Sequence, residues 1–168
     1  MPATLADGRL RVRFLATAPA EPGAVTATEA NAGEKLECRI LKSDFRLSAT
    51  ASDTVADTVL CSEGNATTFG ASNYEGSVTV LRYLDGTGAA EVDNDIAWDL
   101  LREKGTNGYV LISEGKHHEE DFASGDEYDL FEVVTDTPQM PTDRGGFIKR
   151  TVPLGVQRAW LNRTVATA

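Results

Sequence analysis

The sequence predicts a mainly β chain with one helix laid against the sheet, and three observations carry that expectation. The first is Gly108 to Asp136, where GYVLISEG and EYDLFEVVTD flank the polar connection KHHEEDFASGD. Tyr109, Val110, Leu111 and Ile112 in one run, and Leu130, Phe131, Val133 and Val134 in the other, are β-branched, aromatic or apolar residues that suit a pleated sheet, so the stretch reads as a long hairpin. The second is GRLRVRFL, Gly8 to Leu15, in which Leu10, Val12 and Phe14 alternate with Arg9, Arg11 and Arg13 at the two-residue period of a strand. The third is that helical periodicity is convincing once only, over Asp93 to Lys104, where Ile96, Ala97, Leu100 and Leu101 make a narrow apolar stripe with Trp98 on its flank.

At 168 residues the chain suits a single domain spanning 1–168, long enough to bury roughly two thirds of its unfolded surface. Its 41% hydrophobic and 25% charged residues are an ordinary globular balance. No apolar run approaches the roughly 20 residues that cross a bilayer, and MPATLADGRLRVRF lacks a basic n-region leading into an apolar one, so neither a membrane nor a secreted protein is expected. Cys38 and Cys61 stand in apolar runs and are expected as reduced core thiols rather than a disulfide or zinc site. The net charge of −10 is unevenly spread: residues 51–140 hold nineteen acids against four bases, and residues 141–168 hold five bases against one acid. Such a centre disfavours phosphate binding and permits contact between an acidic face and a basic one.

Along the chain, the three arginines opposite Leu10, Val12 and Phe14 could form a phosphate patch, but a solvated or interface-facing side is the commoner use of such a strand. Residues 16–26, with Pro19, Pro22 and Gly23, form a long loop. TEANAG offers one helical turn capped by Thr28 and stopped by Gly33. Leu36 to Leu41 and Phe45 to Ala49, with Lys42, Ser43 and Asp44 between, suggest a small hairpin. Thr58 to Cys61 and Ala66 to Phe69 are short candidate strands, and Gly76 to Leu84 is a strong one, apolar enough for burial on both faces or in a subunit contact. Asp93, Asn94 and Asp95 suit the positive start of the helix; Arg102 and Lys104 suit its end, before Gly105. After the flexible TPQMPTDRGG, Phe147 to Leu154 and Val156 to Val165 read as a final strand pair, with Pro153 placing its strand at an edge or an end. Asn65 and Asn162 stand in N-x-[ST] patterns that carry little weight without a secretion signal.

Between Glu114 and Asp136 nine carboxylates face one base, Lys116, which makes the hairpin a projecting acidic element. His117, His118, Glu119, Glu120 and Asp121 lack the i, i+4 spacing of a helical zinc site, and adjacent histidines on an extended loop point apart. Asp126, Glu127 and Asp129 lack the spacing of a calcium loop. No histidine is placed by spacing to activate a serine or cysteine, no G-x-S-x-G or P-loop occurs, and no pair of carboxylates is singled out, so no cofactor, metal or catalytic residue is expected.

The order of parts bears a family likeness: the opening strand, a proline-bearing loop, small hairpins, DTVADTVLCSEG, the turn ASNYEG into SVTVLRYL, the helix DNDIAWDLLREKG, GYVLIS, then paired strands to the end. It resembles the major tail (tail tube) proteins of long-tailed bacteriophages, chiefly over Asp53 to Gly64 and Asn73 to Gly108. The resemblance implies a β-sandwich or rolled barrel with the helix at about 93–104 flanking it and long extended loops. It further implies a virion structural protein, made in the host cytoplasm, whose hexameric rings stack into a hollow tail tube through which the genome passes. Implied partners are further copies of the chain, tape-measure and tail terminator or tip proteins, and DNA in transient non-specific passage, with no membrane. Contractile-tail and secretion-system tubes are related architectures inside the same expectation. On that basis Glu114, Glu119, Glu120, Asp121, Asp126, Glu127 and Asp129 are candidate lumen or inter-subunit acids, and Arg9, Arg11, Arg13, Lys149, Arg150, Arg158 and Arg163 candidate inter-subunit bases. The alternative is a non-catalytic β-sandwich binding or decoration module for capsid, adhesion or glycan.

Overall fold

The alternating run at the start of the chain forms strand β1 (Leu10–Leu15), and the rest of the structure is assembled on both of its faces. The computed structural model describes residues 3–55, 60–61, 64 and 67–167. After β1 come α1 (Ala27–Ala32), β2 (Glu34–Lys35), β3 (Arg46–Thr50), β4 (Thr54–Val55), β5 (Thr68–Phe69), β6 (Asn73–Leu81), α2 (Ile96–Leu101), β7 (Asn107–Glu114), β8 (Glu127–Thr135) and β9 (Lys149–Thr164). The chain is mainly β, as its patterning predicts. Seven strands make one antiparallel sheet in the order β2-β1-β7-β8-β9-β6-β3, and β4 and β5 pair as a separate ribbon.

The sheet rolls without closing into a barrel. Its turning point is Pro153: β9 pairs with β6 from Lys149 to Pro153 and with β8 from Leu154 to Thr164. A proline has no N–H to give, so the ladder to β6 stops there while the strand itself runs on. The expected final strand pair is therefore one continuous 16-residue strand. The segment 36–41 links β1 to β6: the Leu36 amide donates to Val12 O at 3.0 Å, and the Leu41 amide to Thr79 O at 2.8 Å. This segment was expected as half of a hairpin with 45–49. It is instead turn with a single bridge, Ile40 to Val80, and β3 pairs with β6.

Inside the roll lies the larger core, with Val12 and Phe14 of β1, Leu47 of β3, Val78 and Val80 of β6, Val110 of β7, Phe131 and Val133 of β8, and Ala97 and Leu101 of α2. Tyr74 meets Phe131 edge-to-face across it at 6.4 Å. Gly108 is required here, because a Cβ would lie 2.2 Å from the Phe14 ring. The hairpin β7–β8 is present, but its strands lie in the middle of the sheet with Val110, Leu111, Leu130 and Phe131 buried. Its nine carboxylates did not keep it out of the core, because seven of them stand in the connection or at the strand ends and only Asp129 and Glu132 lie within the strands. Only the 115–126 connection extends past the strands.

The second face of β1, β7 and β8 carries a smaller core of Leu15, Leu111, Tyr128 and Leu130, roofed by Val25, Ala30, Phe122 and Val165. α1 is capped by Thr26 rather than Thr28: Thr26 and Glu29 form a reciprocal capping box, and Gly33 ends the helix as expected. Glu29 also accepts from the Ala20 amide at 2.8 Å. Tyr128 pins the same loop, its hydroxyl accepting from the Val25 amide at 2.9 Å and donating to Pro22 O at 3.1 Å. The loop 16–26 is thus a fixed part of the roof.

Three further expectations change. α2 covers Ile96–Leu101 only, preceded by turns. Asp95 is buried and takes three donors, Arg82 Nε at 3.1 Å, Arg82 Nη2 at 2.8 Å and the Tyr83 amide at 3.0 Å, so it clamps α2 to the end of β6 instead of decorating a helix dipole. Cys38 and Cys61 are exposed free thiols, because each lies in a turn outside the sheet. Of the two short candidate strands, Thr58, Val59 and Ala66 lie outside the described residues, as does Asn65; Leu60 and Cys61 are turn, and Thr68–Phe69 is β5.

Candidate functional site

The side chains of β1 opposite Val12 and Phe14 lie under α1 and the 115–126 connection, and so face a second packed layer and not solvent. Arg11 and Arg13 are accordingly 1% and 0% exposed, the two largest fully buried side chains among the described residues. Arg11 Nη2 donates to Ser113 Oγ at 2.9 Å and to Asp126 Oδ2 at 3.1 Å, and its Nη1 to Asp121 O at 3.2 Å. Arg13 Nη1 meets Glu37 Oε1 at 2.5 Å. Phe122 lies under both guanidinium groups, 4.0 Å from that of Arg11 and 5.6 Å from that of Arg13. Lys116 Nζ completes the network at 2.7 Å from Asp126 Oδ1.

The polar connection of the hairpin is therefore sewn onto the sheet. Asn31 of α1 holds Phe122 at both ends of its peptide, accepting from its amide at 2.8 Å and donating to its carbonyl at 3.0 Å. Burial opposes ionisation of Asp126, but hydrogen bonds from Lys116, the Ala123 amide and Arg11 outweigh it and hold the carboxyl below its ordinary range. The expectation that Arg11 and Arg13 lie on a solvated or interface-facing side is corrected: their charges are spent inside the chain on Asp126 and Glu37. Asp126 likewise has its partners within the chain.

The remaining acids divide. Glu114, Glu119, Glu120, Asp121 and Glu127 are exposed around the connection. Glu120 accepts from the His117 amide at 3.1 Å, and Asp121 stands 3.7 Å from Lys35. Asp129 is half-buried and accepts from the Asn162 amide at 2.7 Å, which supports the positive φ of 53° at Asn162 where the β8–β9 register slips. Among the bases, Arg9 is exposed and donates to Gly115 O at 2.8 Å. Arg158 lies 3.8 Å from Glu132, Arg163 is exposed opposite Tyr128, and Lys149 and Arg150 are half-buried at the other end of β9. Glu114, Glu127, Arg9 and Arg163 thus share one end of the sheet, two acids beside two bases. From Gly155 to Thr164, β9 pairs with β8 alone among the described strands and presents an open edge.

The histidines do not point apart: their rings stack at 4.4 Å, and His118 Nδ1 approaches Cys38 Sγ at 3.9 Å. Among the described residues no group of three or more His, Cys, Asp or Glu side chains converges as a metal would need. No helix among them is long and apolar enough to cross a membrane. What the geometry offers among the described residues is a charged end and an open strand edge.

Compared with known proteins, residues 1–168 match the model of the family described as phage tail tube protein. The chain belongs to that family. As a tail tube protein it is a structural component of the phage tail, and the rolled β sheet with its flanking helix is the expected frame. No curated protein is similar enough in sequence to count as a match. Among solved structures, the chain is similar to one in "Cryo-EM structure of the anti-feeding prophage (AFP) baseplate, 6-fold symmetrised", with a TM-score of 0.51 and 17% identity over 99% of this chain and 98% of that one. At that identity the likeness is one of fold.

Proposed function

We propose that this tail tube protein assembles as hexameric rings that stack into the hollow tube through which the phage genome passes. The observation that carries the proposal is the match of the whole chain to the tail tube family. The likeness to a chain in a six-fold symmetrised assembly is in keeping with six copies per ring, and the open edge of β9 is a surface that another copy can complete. The role is structural rather than catalytic. Tape-measure and terminator or tip proteins are the further partners that such a tube requires, and the protein is made in the host cytoplasm before joining the virion.

The exposed acids Glu114, Glu119, Glu120, Asp121 and Glu127 suit one of two positions, the lumen or a contact with a basic strand of the next subunit. A wall of bases would bind phosphate with release of counterions and hold the DNA, whereas an acidic wall lets it slide. A glycan-binding module is disfavoured by its aromatics: Trp98 lies under Arg82 at 4.7 Å and Trp160 packs beside Tyr109 at 6.5 Å, so neither is a free stacking surface. Electron microscopy of the purified chain tests the proposal. Hollow tubes or six-membered rings are expected; a persistent monomer that binds capsid or glycan would overturn it. Glu119→Lys with Glu120→Lys is expected to impair tube growth or DNA delivery, and normal behaviour in both would remove these residues from either role.

A further inference from the structure

Where β1 runs out beside α1, the chain leaves an open groove of about 440 Å³. Buried Phe14, Leu15 and Pro19 and half-buried Leu100 line it, together with Glu29 and Glu34. Neither carboxylate has a counter-charge: Glu29 takes hydrogen bonds from Ala20 and Thr26, which hold it below the ordinary carboxylate range and therefore ionised, and no base lies within ion-pair distance of it or of Glu34 among the described residues. The groove is apolar and acidic, and its acids are unspent.

The opposite character gathers on the segment before β9. Met140, Arg144, Phe147, Lys149 and Arg150 converge around one shallow depression of about 220 Å³, so apolar tips and bases occupy a common surface. Phe147 is 75% exposed and Met140 62%. Arg144 reaches Met140 Sδ at 3.7 Å and Arg150 the Lys149 carbonyl at 2.9 Å, but none of the three bases meets a carboxylate among the described residues. The segment is held in place: Gln139 and Thr151 exchange amide-to-carbonyl bonds at 2.7 and 3.0 Å, and the Arg82 amide donates to Ile148 O at 2.9 Å. Each surface suits the other and neither suits itself, because like charges would meet in a symmetric pairing. Within one chain they stay apart, since Phe147 and Met140 remain in solvent.

We propose that the 140–150 segment of one copy docks in the acidic groove of a second copy, Phe147 and Met140 entering over Phe14, Leu15 and Leu100 while Arg144 and Lys149 face Glu29 and Glu34. An aromatic side chain seated in an apolar pocket and ringed by polar groups is the common anchor of such contacts. The contact is heterologous, head to tail, and so propagates into a ring or a stack rather than ending at a dimer. It rests on the assembly reading given above and assigns residues to it.

The test uses the full chain. Phe147→Ser removes the anchor, and Ala16→Trp, at an exposed position that lines the groove, fills it; circular dichroism checks each for an unchanged fold. Sedimentation velocity is expected to show association at least tenfold weaker for each variant alone. Mixtures of the two are expected to form heterodimers, since the Phe147→Ser chain keeps its groove and the Ala16→Trp chain keeps its Phe147. Charge is read separately: Glu34→Lys and Arg144→Glu are each expected to weaken association at least threefold, and both in one chain to restore most of it. Association of Phe147→Ser or Ala16→Trp reduced less than tenfold, mixtures that stay monomeric, or a charge-exchanged chain no tighter than the single variants would overturn the assignment. So would an Ala16→Trp chain that associates normally but no longer binds a small apolar cation such as benzamidinium, which would make the groove a ligand site. If the unaltered chain never associates, the assembly reading fails and this contact with it; if it associates and the variants do so equally, only this contact fails.

Discussion

Asp126→Asn separates a buried charge network from a decorated loop. The substitution keeps the side chain's size and removes its charge, leaving Arg11, 1% exposed, without its carboxylate. Removing one partner of a buried ion pair costs about 3–5 kcal/mol. The lower end applies, because Arg11 keeps Ser113 Oγ and Asp121 O as acceptors and Phe122 under its face, and Lys116, with a side chain 41% exposed, can turn to water. About 3 kcal/mol is some two decades in the folding equilibrium, and with a urea slope of roughly 2 kcal/mol/M the midpoint falls by about 1.5 M. Urea unfolding followed by tryptophan fluorescence reads it. Glu119→Gln serves as the control: its carboxylate stands 3.8 Å from His117 in solvent, and such a pair is worth no more than about 1 kcal/mol. Arg11→Met combined with Asp126→Leu is expected to recover much of the loss, since two apolar side chains leave no unpaired charge. A midpoint shift below about 0.5 M for Asp126→Asn, at the same slope of roughly 2 kcal/mol/M, or a double variant no more stable than the single, would refute the network's role.

Gly108→Ala is expected to destabilise by about 1–3 kcal/mol through overpacking against Phe14, measured by thermal unfolding, with Phe14→Leu in the same chain relieving part of it. Asp95→Ala strands the Arg82 guanidinium over Trp98 and is expected to cost about 3 kcal/mol, with loss of protection from hydrogen exchange concentrated in α2. Thr26→Ala breaks the capping box and is expected to cost about 1 kcal/mol. For pH, Asp126 is held below its ordinary carboxylate value by Lys116, Ala123 and Arg11 against burial, and Glu29 by the Ala20 and Thr26 hydrogen bonds. Their stabilisation is in place above the unfolded value near pH 4 and is lost as pH falls through the lowered folded values, so Asp126→Asn should flatten the acid limb of the stability curve. Burial raises the Tyr128 hydroxyl; its contribution is in place below about pH 10 and is lost as pH rises towards the folded value, an alkaline limb that Tyr128→Phe should remove.

Local periodicity was enough to name β1, the β7–β8 hairpin, the strong strand that became β6 and the single convincing helix, because a two-residue or 3.6-residue repeat survives in any context that buries one face. It failed where a segment's conformation depends on what lies beside it. Residues 36–41 look like a strand and are a strut between β1 and β6, because their amides answer carbonyls on both. The partner change of β9 at Pro153 is a property of three strands together. The charges follow the same division. That the centre of the chain is acidic and its end basic is written in the composition, and such a centre disfavours phosphate binding. Which charges are spent internally is not: alternation marks Arg9, Arg11 and Arg13 as one face, and only the packing of Phe122, Asp126 and Glu37 over that face makes two of them interior and leaves Arg9 outside. The sequence by itself determined a mainly β tail tube chain with an acidic hairpin. Tertiary structure decided that the hairpin's strands are the centre of the sheet and its connection a roof, with Asp126 spent on Arg11 115 positions away while Glu114, Glu119, Glu120, Asp121 and Glu127 stay exposed, since burial and charge pairing are set by residues that only the fold brings together.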